Sequence, residues 1–321
     1  MRLAPSTALL GLLSALVNCA AEPPTAFTQG RDGGTPAVDT GTVGRTDSGV
    51  IPIPIRDAGA AAHCSEAAQL VYVLSDANDL YSFRPNLRQF TRIGRLSCPT
   101  AASPNSMAID RNAVAWVNYV DSDLGDTAGA IYKVNTTDAT CTADAPIHMP
   151  FGWYRLGMGF STTSADNTDE TLFVTSTGDA LPGSSLGLGS IAPAGGILHI
   201  IGNFSGALRG QSAELTGTGD GRLFGFFTTS PVQVAQLDRA TATVLDSTPV
   251  PGIDTPAAWA FSFWGGDFYL YTAPSALVGR TTTVTRYRPS TGAIDTRYMP
   301  DIGFRIVGAG VSTCAPIAPP P

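Results

Sequence analysis

The sequence predicts an all-β chain whose residues 64–321 form a five-bladed β-propeller. Three observations predict this fold: the composition, two short motifs that recur in phase, and chain ends that each carry part of one repeat. The chain has 35 glycines, 24 prolines and only 14% charged residues. Such a composition favours short strands and many turns over long helices.

The first motif is a strand, a tight turn and a second strand. Pro or a small polar residue opens the turn, and Gly, Asp or Arg closes it, as a hairpin with a positive-φ position requires. The spacings between the apolar anchors of the five copies are 51, 57, 46 and 50 residues. These anchors are Phe83, Val134, Ile191, Leu237 and Tyr287.

The second motif is a strand of small residues, a short turn and an aromatic strand. Its anchors are Met107, Met158, Leu215 and Ala260, spaced 51, 57 and 45 residues apart. Two motifs with nearly the same spacings indicate one unit of four strands over about 50 residues, which is typical of a β-propeller.

The two chain ends complete the ring. Residues 70–74 form a second strand with no first strand before it, and residues 306–311 form a first strand with nothing after it. Joined together, they make blade 1. We therefore expect the C-terminal strand to close the first blade, which removes open sheet edges from the ring.

Four cysteines remain if Cys19 is lipidated: Cys64, Cys98, Cys141 and Cys314. An even number in an exported chain predicts disulfides, with three possible connectivities. Cys64 and Cys314 flank the predicted closure of blade 1, so we expect them to pair, and Cys98–Cys141 follows by elimination. Strand counting places that second pair toward opposite faces, and free buried thiols remain the alternative.

Residues 1–18 have the pattern of a secretory signal: Arg2 is followed by an apolar stretch, residues 8–17, that is too short to span a membrane. The stretch leads to Leu16-Val17-Asn18-Cys19, which resembles a bacterial lipobox, although Asn18 departs from the usual small residue. The resemblance implies diacylation of Cys19, and the following Ala20 favours the outer membrane. The alternative is ordinary cleavage after Ala21.

Residues 19–63 predict a disordered linker, because this Gly-, Thr-, Pro- and Asp-rich stretch has too few apolar residues to form a core. With the lipobox and the propeller, it resembles envelope lipoproteins of high-GC bacteria such as myxobacteria. Residues 237–241 and 287–292 are similar to repeats of quinoprotein-like and surface-layer propellers. The resemblance implies an exported outer-membrane lipoprotein, periplasmic or at the cell surface. The Trp-terminated repeat of quinone-dependent dehydrogenases is missing, which argues against that cofactor.

Glu214 is the main candidate for a functional side chain. It lies on the predicted innermost strand of blade 4, at the level of Ser106, Gly157 and Trp259 in the other blades. A carboxyl group near the axis needs a partner or a raised pKa. Glu214 could act as a general acid, bind a ligand, or hold adjacent blades together.

Aromatic residues beside the predicted inner strands are further ligand-binding candidates. Trp153, Tyr154 and Arg155 lie in a connection between blades, and Trp259 and Trp264 flank an inner strand. These rings could stack against a sugar, or they could simply pack in the core.

The sequence predicts no metal site and no cofactor, although Ca²⁺ stays an alternative. His63, His148 and His199 lie far apart and lack metal-ligand spacing. The acidic segments 121–126 and 166–170 are rich in oxygen ligands, yet neither matches the twelve-residue calcium loop. Solvated turns are the simpler interpretation.

These observations favour a non-enzymatic, lipid-anchored scaffold that binds a protein or an envelope polymer. Nucleic acid is not an expected partner, because the net charge is −7 and no basic run exists. One alternative is a carbohydrate-binding or carbohydrate-cleaving propeller, in which Asp110 or Asp220 would join Glu214. A second alternative is a Ca²⁺-dependent lactonase-like hydrolase. Residues 183–187 match G-x-S-x-G, but in a Gly/Ser loop rather than at a strand-to-helix elbow.

Overall fold

The chain folds as a five-bladed β-propeller in a computed structural model, which describes residues 64–122, 126–177, 184–275, 279 and 281–320. The predicted signal peptide, Cys19 and the predicted linker lie outside the described residues. Among the described residues, no helix is long and apolar enough to cross a membrane.

In the described part of the chain, twenty strands form five antiparallel sheets of four strands, and each sheet is one blade. We number the blades by the order of their second strands and name each blade's strands from the axis outward. Blade 1 consists of β20 (Ile306–Val311), β1 (Val71–Ser75), β2 (Asp79–Arg84) and β3 (Gln89–Arg95). Blade 2 consists of β4 (Ser103–Ile109), β5 (Val114–Asp121), β6 (Ala128–Asn135) and β7 (Ile147–His148). Blade 3 consists of β8 (Leu156–Thr162), β9 (Glu170–Ser176), β10 (Gly187–Ile191) and β11 (Leu198–Gly202). Blade 4 consists of β12 (Ala213–Gly217), β13 (Leu223–Phe227), β14 (Gln233–Leu237) and β15 (Val244–Pro249). Blade 5 consists of β16 (Ala258–Trp264), β17 (Asp267–Ala273), β18 (Thr283–Arg288) and β19 (Ala293–Met299). Short 3₁₀ turns lie at Ala67–Gln69, Pro85–Leu87 and Gly206–Leu208.

The predicted closure of blade 1 by the C-terminal strand is confirmed. β1 pairs with β20 in antiparallel register, with Val71 opposite Val311. The predicted disulfide between Cys64 and Cys314 is present beside this pairing. The two chain ends are therefore joined by a strand ladder and by a covalent bond.

The innermost strands pack closely around the axis, and small residues allow this. A Cβ atom added to Gly157 of β8 would lie 2.1 Å from the Ala213 carbonyl oxygen of β12. A Cβ on Gly308 of β20 would lie 3.0 Å from the Met107 nitrogen of β4. We call the face at which these strands begin the entry face, and the opposite face the exit face.

All five copies of the hairpin motif place a left-handed residue five positions after the anchor. Its φ is 51° at Arg88, 62° at Ala139, 65° at Gly196, 61° at Ala242 and 71° at Gly292. We expected Gly, Asp or Arg to close each turn, and the two alanines are a departure. The residue after the anchor supports each of these two turns. The Asn135 side chain accepts a hydrogen bond from the Thr137 backbone N–H, and the Asp238 side chain accepts one from the Ala240 backbone N–H.

Hydrophobic clusters lie between neighbouring blades. Trp116 of blade 2 contacts Phe160 of blade 3 edge to face, with ring centroids 5.5 Å apart. Phe226 of blade 4 lies against Phe261 of blade 5, with ring centroids 5.8 Å apart. In each pair, one ring belongs to the second strand of a blade and the other to the innermost strand of the next blade.

The Cys98–Cys141 disulfide is also present, despite the opposite faces that strand counting assigns to the two residues. Counting treats every strand as parallel to the axis, whereas blades twist and tilt their outer strands. Gly94, near the end of β3, lies against Ala139 in the β6–β7 turn. The end of β3 therefore reaches the turn of blade 2 that carries Cys141.

Candidate functional site

A small cavity opens on the entry face, at the mouth of the central channel. Its volume is about 100 Å³, which corresponds to about three waters or one small functional group. Residues on or beside all five innermost strands line it: Pro104, Asn105, Arg155, Thr177, Glu214, Ala257, Ala258, Trp259 and Val307. The site is thus a product of the whole ring rather than of one blade.

Glu214 lies in the wall of this cavity and is 3% exposed. The Ser106 hydroxyl donates a 2.8 Å hydrogen bond to its Oε2, and the Met158 backbone N–H donates a second one. Burial raises the pKa of the Glu214 carboxyl well above its ordinary value, although both hydrogen bonds favour the charged form. Since Ser106, Met158 and Glu214 belong to blades 2, 3 and 4, this carboxyl group links three blades.

A second polar network holds the rim of the cavity. The Arg155 guanidinium donates two 2.9 Å hydrogen bonds to Asp126 and a 2.7 Å bond to the Asn105 side chain. Asn105 in turn donates to the Asn118 amide oxygen at 3.0 Å. The charge of Arg155 is therefore compensated, and its position is fixed by both carboxylate oxygens.

Sequence reasoning singled out Arg155 but missed Asn105 and Asn118, and it considered Asp126 only as part of an acidic segment. Asn118 is fully buried and accepts the Leu156 N–H at 3.1 Å. An asparagine inside the apolar run of β5 was the available signal for a buried polar network. Asp126 belongs to the acidic segment 121–126, whose residues 123–125 lie outside the described chain.

The tryptophan candidates do not share one role. Trp153 is 1% exposed within the core between blades 2 and 3, which leaves no ring face open to a sugar. Trp264 is buried, and its indole N–H donates to the Gln69 carbonyl at 2.8 Å. Trp259 does line the cavity, and its buried indole nitrogen has no hydrogen-bond partner among the described residues.

An exposed apolar ridge lies beside the rim. Phe151 is 82% exposed, and its ring meets Tyr154 edge to face with centroids 6.1 Å apart. Leu186 is 45% exposed, and its side chain packs over Gly152. We call Phe151, Tyr154 and Leu186 the entry-face ridge; the sequence motifs pointed to Tyr154 but not to the other two.

Asp110 and Asp220 do not lie near Glu214. Asp110 follows the end of β4, four residues after Ser106, which is about 13 Å along a strand. Its side chain accepts the Val114 N–H at 2.9 Å. Asp220 follows the end of β12 and forms a 2.8 Å ion pair with Arg222. Both aspartates lie at the exit face, and Glu214 is the one carboxylate among the described residues that line the cavity.

The histidines and the G-x-S-x-G segment do not come together in one site among the described residues. His148 and His199 lie exposed on the outer strands β7 and β11, and His63 lies outside the described residues. No group of three His, Cys, Asp or Glu side chains in the described chain could hold a metal ion. In the G-x-S-x-G segment, Ser185 is buried, its hydroxyl donates to the Ser176 carbonyl, and a strand follows instead of a helix.

No protein-family model and no curated protein matches this sequence. Among solved structures, a gluconolactonase of Xanthomonas campestris is similar at 18% identity, covering 63% of this chain and 68% of its own, with a TM-score of 0.39. A GH74 xyloglucanase of the same organism has 15% identity over 71% of this chain and 36% of its own, with a TM-score of 0.41. A luciferin-regenerating enzyme has 11% identity over 77% and 93%, with a TM-score of 0.44. Likenesses this distant carry no argument about activity.

Proposed function

We propose that this chain is a non-catalytic binding propeller that is held at a membrane by a lipid on Cys19. It engages a protein or a polymer of the cell envelope through its entry face. The observation that carries the proposal is the entry-face ridge, in which the exposed Phe151 and Leu186 lie with the half-buried Tyr154 beside a fixed, charge-compensated arginine. Exposed apolar groups with polar neighbours are typical of interaction surfaces.

The chemistry of the channel mouth supports binding rather than catalysis. A glycosidase of the usual kind needs two carboxyl groups about 5 to 9.5 Å apart. Glu214 has hydroxyl and backbone N–H partners instead. A single carboxyl group that links three blades fits a structural brace. The lactonase alternative gains no support from the described residues, because they offer no cluster of metal ligands.

A carbohydrate remains the second candidate for the bound partner. The ring planes of Phe151 and Tyr154 are inclined by 86° to each other. The apolar face of a sugar ring packs on such aromatic side chains. A cavity of about 100 Å³ is too small to enclose a sugar ring, so a polysaccharide would bind across the entry-face ridge.

Binding to isolated envelopes tests the ridge. The full chain with Cys19→Ser is used as the parent, so that no lipid contributes to binding. Phe151→Ala and Leu87→Ala are then compared in this parent. Leu87 is the matched control, because it is 59% exposed in the β2–β3 turn at the exit face. We expect Phe151→Ala to weaken retention about tenfold, as for a hot-spot aromatic residue, while Leu87→Ala binds like the parent.

Equal retention of the two variants would contradict the proposal. Protease-treated envelopes separate the two candidate partners. Loss of binding after protease treatment indicates a protein, and retained binding indicates a polysaccharide.

The anchor is tested by membrane fractionation of cells that express the wild-type chain or Cys19→Ser. We expect the wild type in the outer-membrane fraction and the variant in the soluble periplasm, because one diacylated cysteine supplies the hydrophobic anchor. Cleavage after Ala21 would instead make both chains soluble, and identical distributions would exclude the lipid.

A further inference from the structure

The outer strand of each blade has an unpaired edge, and most of these edges are protected. β3 carries Arg92 and Arg95, β15 carries Asp246, and β19 carries Asp295 and Arg297. β7 is only two residues long. Charged side chains and short length are the usual means by which proteins keep edge strands from pairing with other chains.

β11 has neither form of protection. Its five residues, Leu198–Gly202, include no Asp, Glu, Lys, Arg or Pro. Ile200 is 67% exposed, and Ile197, just before the strand, is 66% exposed. A register shift against the neighbouring strand does not distinguish β11, because β3, β15 and β19 have one as well.

We propose that β11 is a self-association edge, through which a second copy of this chain pairs in antiparallel orientation. Two copies of blade 3 would then form one continuous eight-stranded sheet about a two-fold axis. This arrangement needs only one surface, which each copy supplies to the other.

The side chains of β11 suit a second copy of the same strand. In an antiparallel pairing centred on Ile200, Ile200 faces Ile200 of the second copy, and directly opposed aliphatic side chains stabilise a strand pair. No like charges oppose each other, because the strand has no acidic side chain and no Lys or Arg. The contact involves one short strand per copy, so we expect a weak, concentration-dependent dimer.

Sedimentation of the full-length chain over a concentration series tests this proposal. Ile200→Lys places a charge opposite its own copy, and Leu245→Lys is the matched control, since Leu245 is 56% exposed on the charged outer strand β15. We expect the wild type and Leu245→Lys to dimerise, and Ile200→Lys to weaken dimerisation at least tenfold. Ile197→Lys is a second variant in case Ile200→Lys fails to fold.

Amide hydrogen exchange locates the contact directly. We expect amides of β11 to exchange more slowly at high than at low protein concentration, while those of β15 stay unchanged. A wild-type chain that sediments as a monomer at every concentration overturns the proposal. A dimer that Ile200→Lys and Ile197→Lys leave intact places the interface elsewhere and overturns it as well.

Discussion

At the scale of single residues, Glu214 shows how burial changes the role of a carboxyl group. The sequence identified it as an isolated acid on an inner strand, and the structure places it in a wall shared by three blades. Its two hydrogen bonds come from a hydroxyl group and a backbone N–H, so no cation compensates a charge there. Burial therefore favours the neutral form of the carboxyl group and raises its pKa.

Glu214 gives a prediction about pH. Because its folded pKa lies well above the ordinary value of 4.5, the unfolded chain loses the proton first as pH rises. The stability that protonated Glu214 contributes to the wild type should therefore be fully present below pH 4.5 and be lost as pH rises through the folded pKa. Glu214→Gln keeps the shape and cannot ionise, so its melting temperature should fall less with pH.

Melting curves of both chains between acid and alkaline pH measure this difference. A tenfold change in proton affinity corresponds to about 1.4 kcal/mol, or roughly 3–6 °C in a domain of this size. Glu170, whose pKa is also raised by burial, is present in both chains and cancels. Parallel curves for the two chains would show that Glu214 is not buried as described.

At the scale of elements, the innermost strands depend on small residues. The sequence motif already contained them, but the structure shows the reason: a Cβ on Gly157 would lie 2.1 Å from a backbone oxygen of the next blade. Backbone cannot move aside as a flexible side chain can. The glycines therefore set how closely adjacent blades approach the axis.

Gly157→Ala should destabilise the chain by about 1–3 kcal/mol or more, as expected for overpacking. Gly279→Ala is the control, because a Cβ there would meet, among the described residues, only a proline side chain at an ordinary 3.6 Å. Urea denaturation of both variants measures the change in the free energy of unfolding. Similar midpoints for the two variants would mean that blades 3 and 4 tolerate wider spacing.

At the scale of the whole molecule, the two disulfides constrain loops of very different length. Cys64–Cys314 spans 250 residues and Cys98–Cys141 spans 43. In the loop-entropy model, these correspond to about 5 and 4 kcal/mol. Ring closure should therefore depend more on the first bond than on the second.

We expect the Cys64→Ser/Cys314→Ser chain to unfold at a lower denaturant concentration than the Cys98→Ser/Cys141→Ser chain. Both are compared with the wild type under oxidising conditions. The reverse order would show that the ladder between β1 and β20 closes the ring without covalent help.

The sequence by itself determined the number of blades, the four-stranded repeat unit, the closure of blade 1 and the pairing of Cys64 with Cys314. These features follow from local patterns, because anchors such as Phe83 and Val134 recur every 46 to 57 residues and the turn residues lie at fixed offsets from them. Trp153 shows the limit of that reasoning. Its position in a connection left open whether the ring stacks against a sugar or packs in the core, and burial between two blades depends on contacts that no local pattern contains.

Only the tertiary structure decided which side chains meet at the axis and which edges stay open. Ser106, Met158 and Glu214 lie more than 50 residues apart in sequence, and their contact depends on the stagger and closeness of the inner strands. The same holds for the exposure of Phe151 and Ile200, which depends on how neighbouring loops and blades cover them. The Cys98–Cys141 bond likewise depends on how the end of β3 lies against the β6–β7 turn, which a count of strands does not contain.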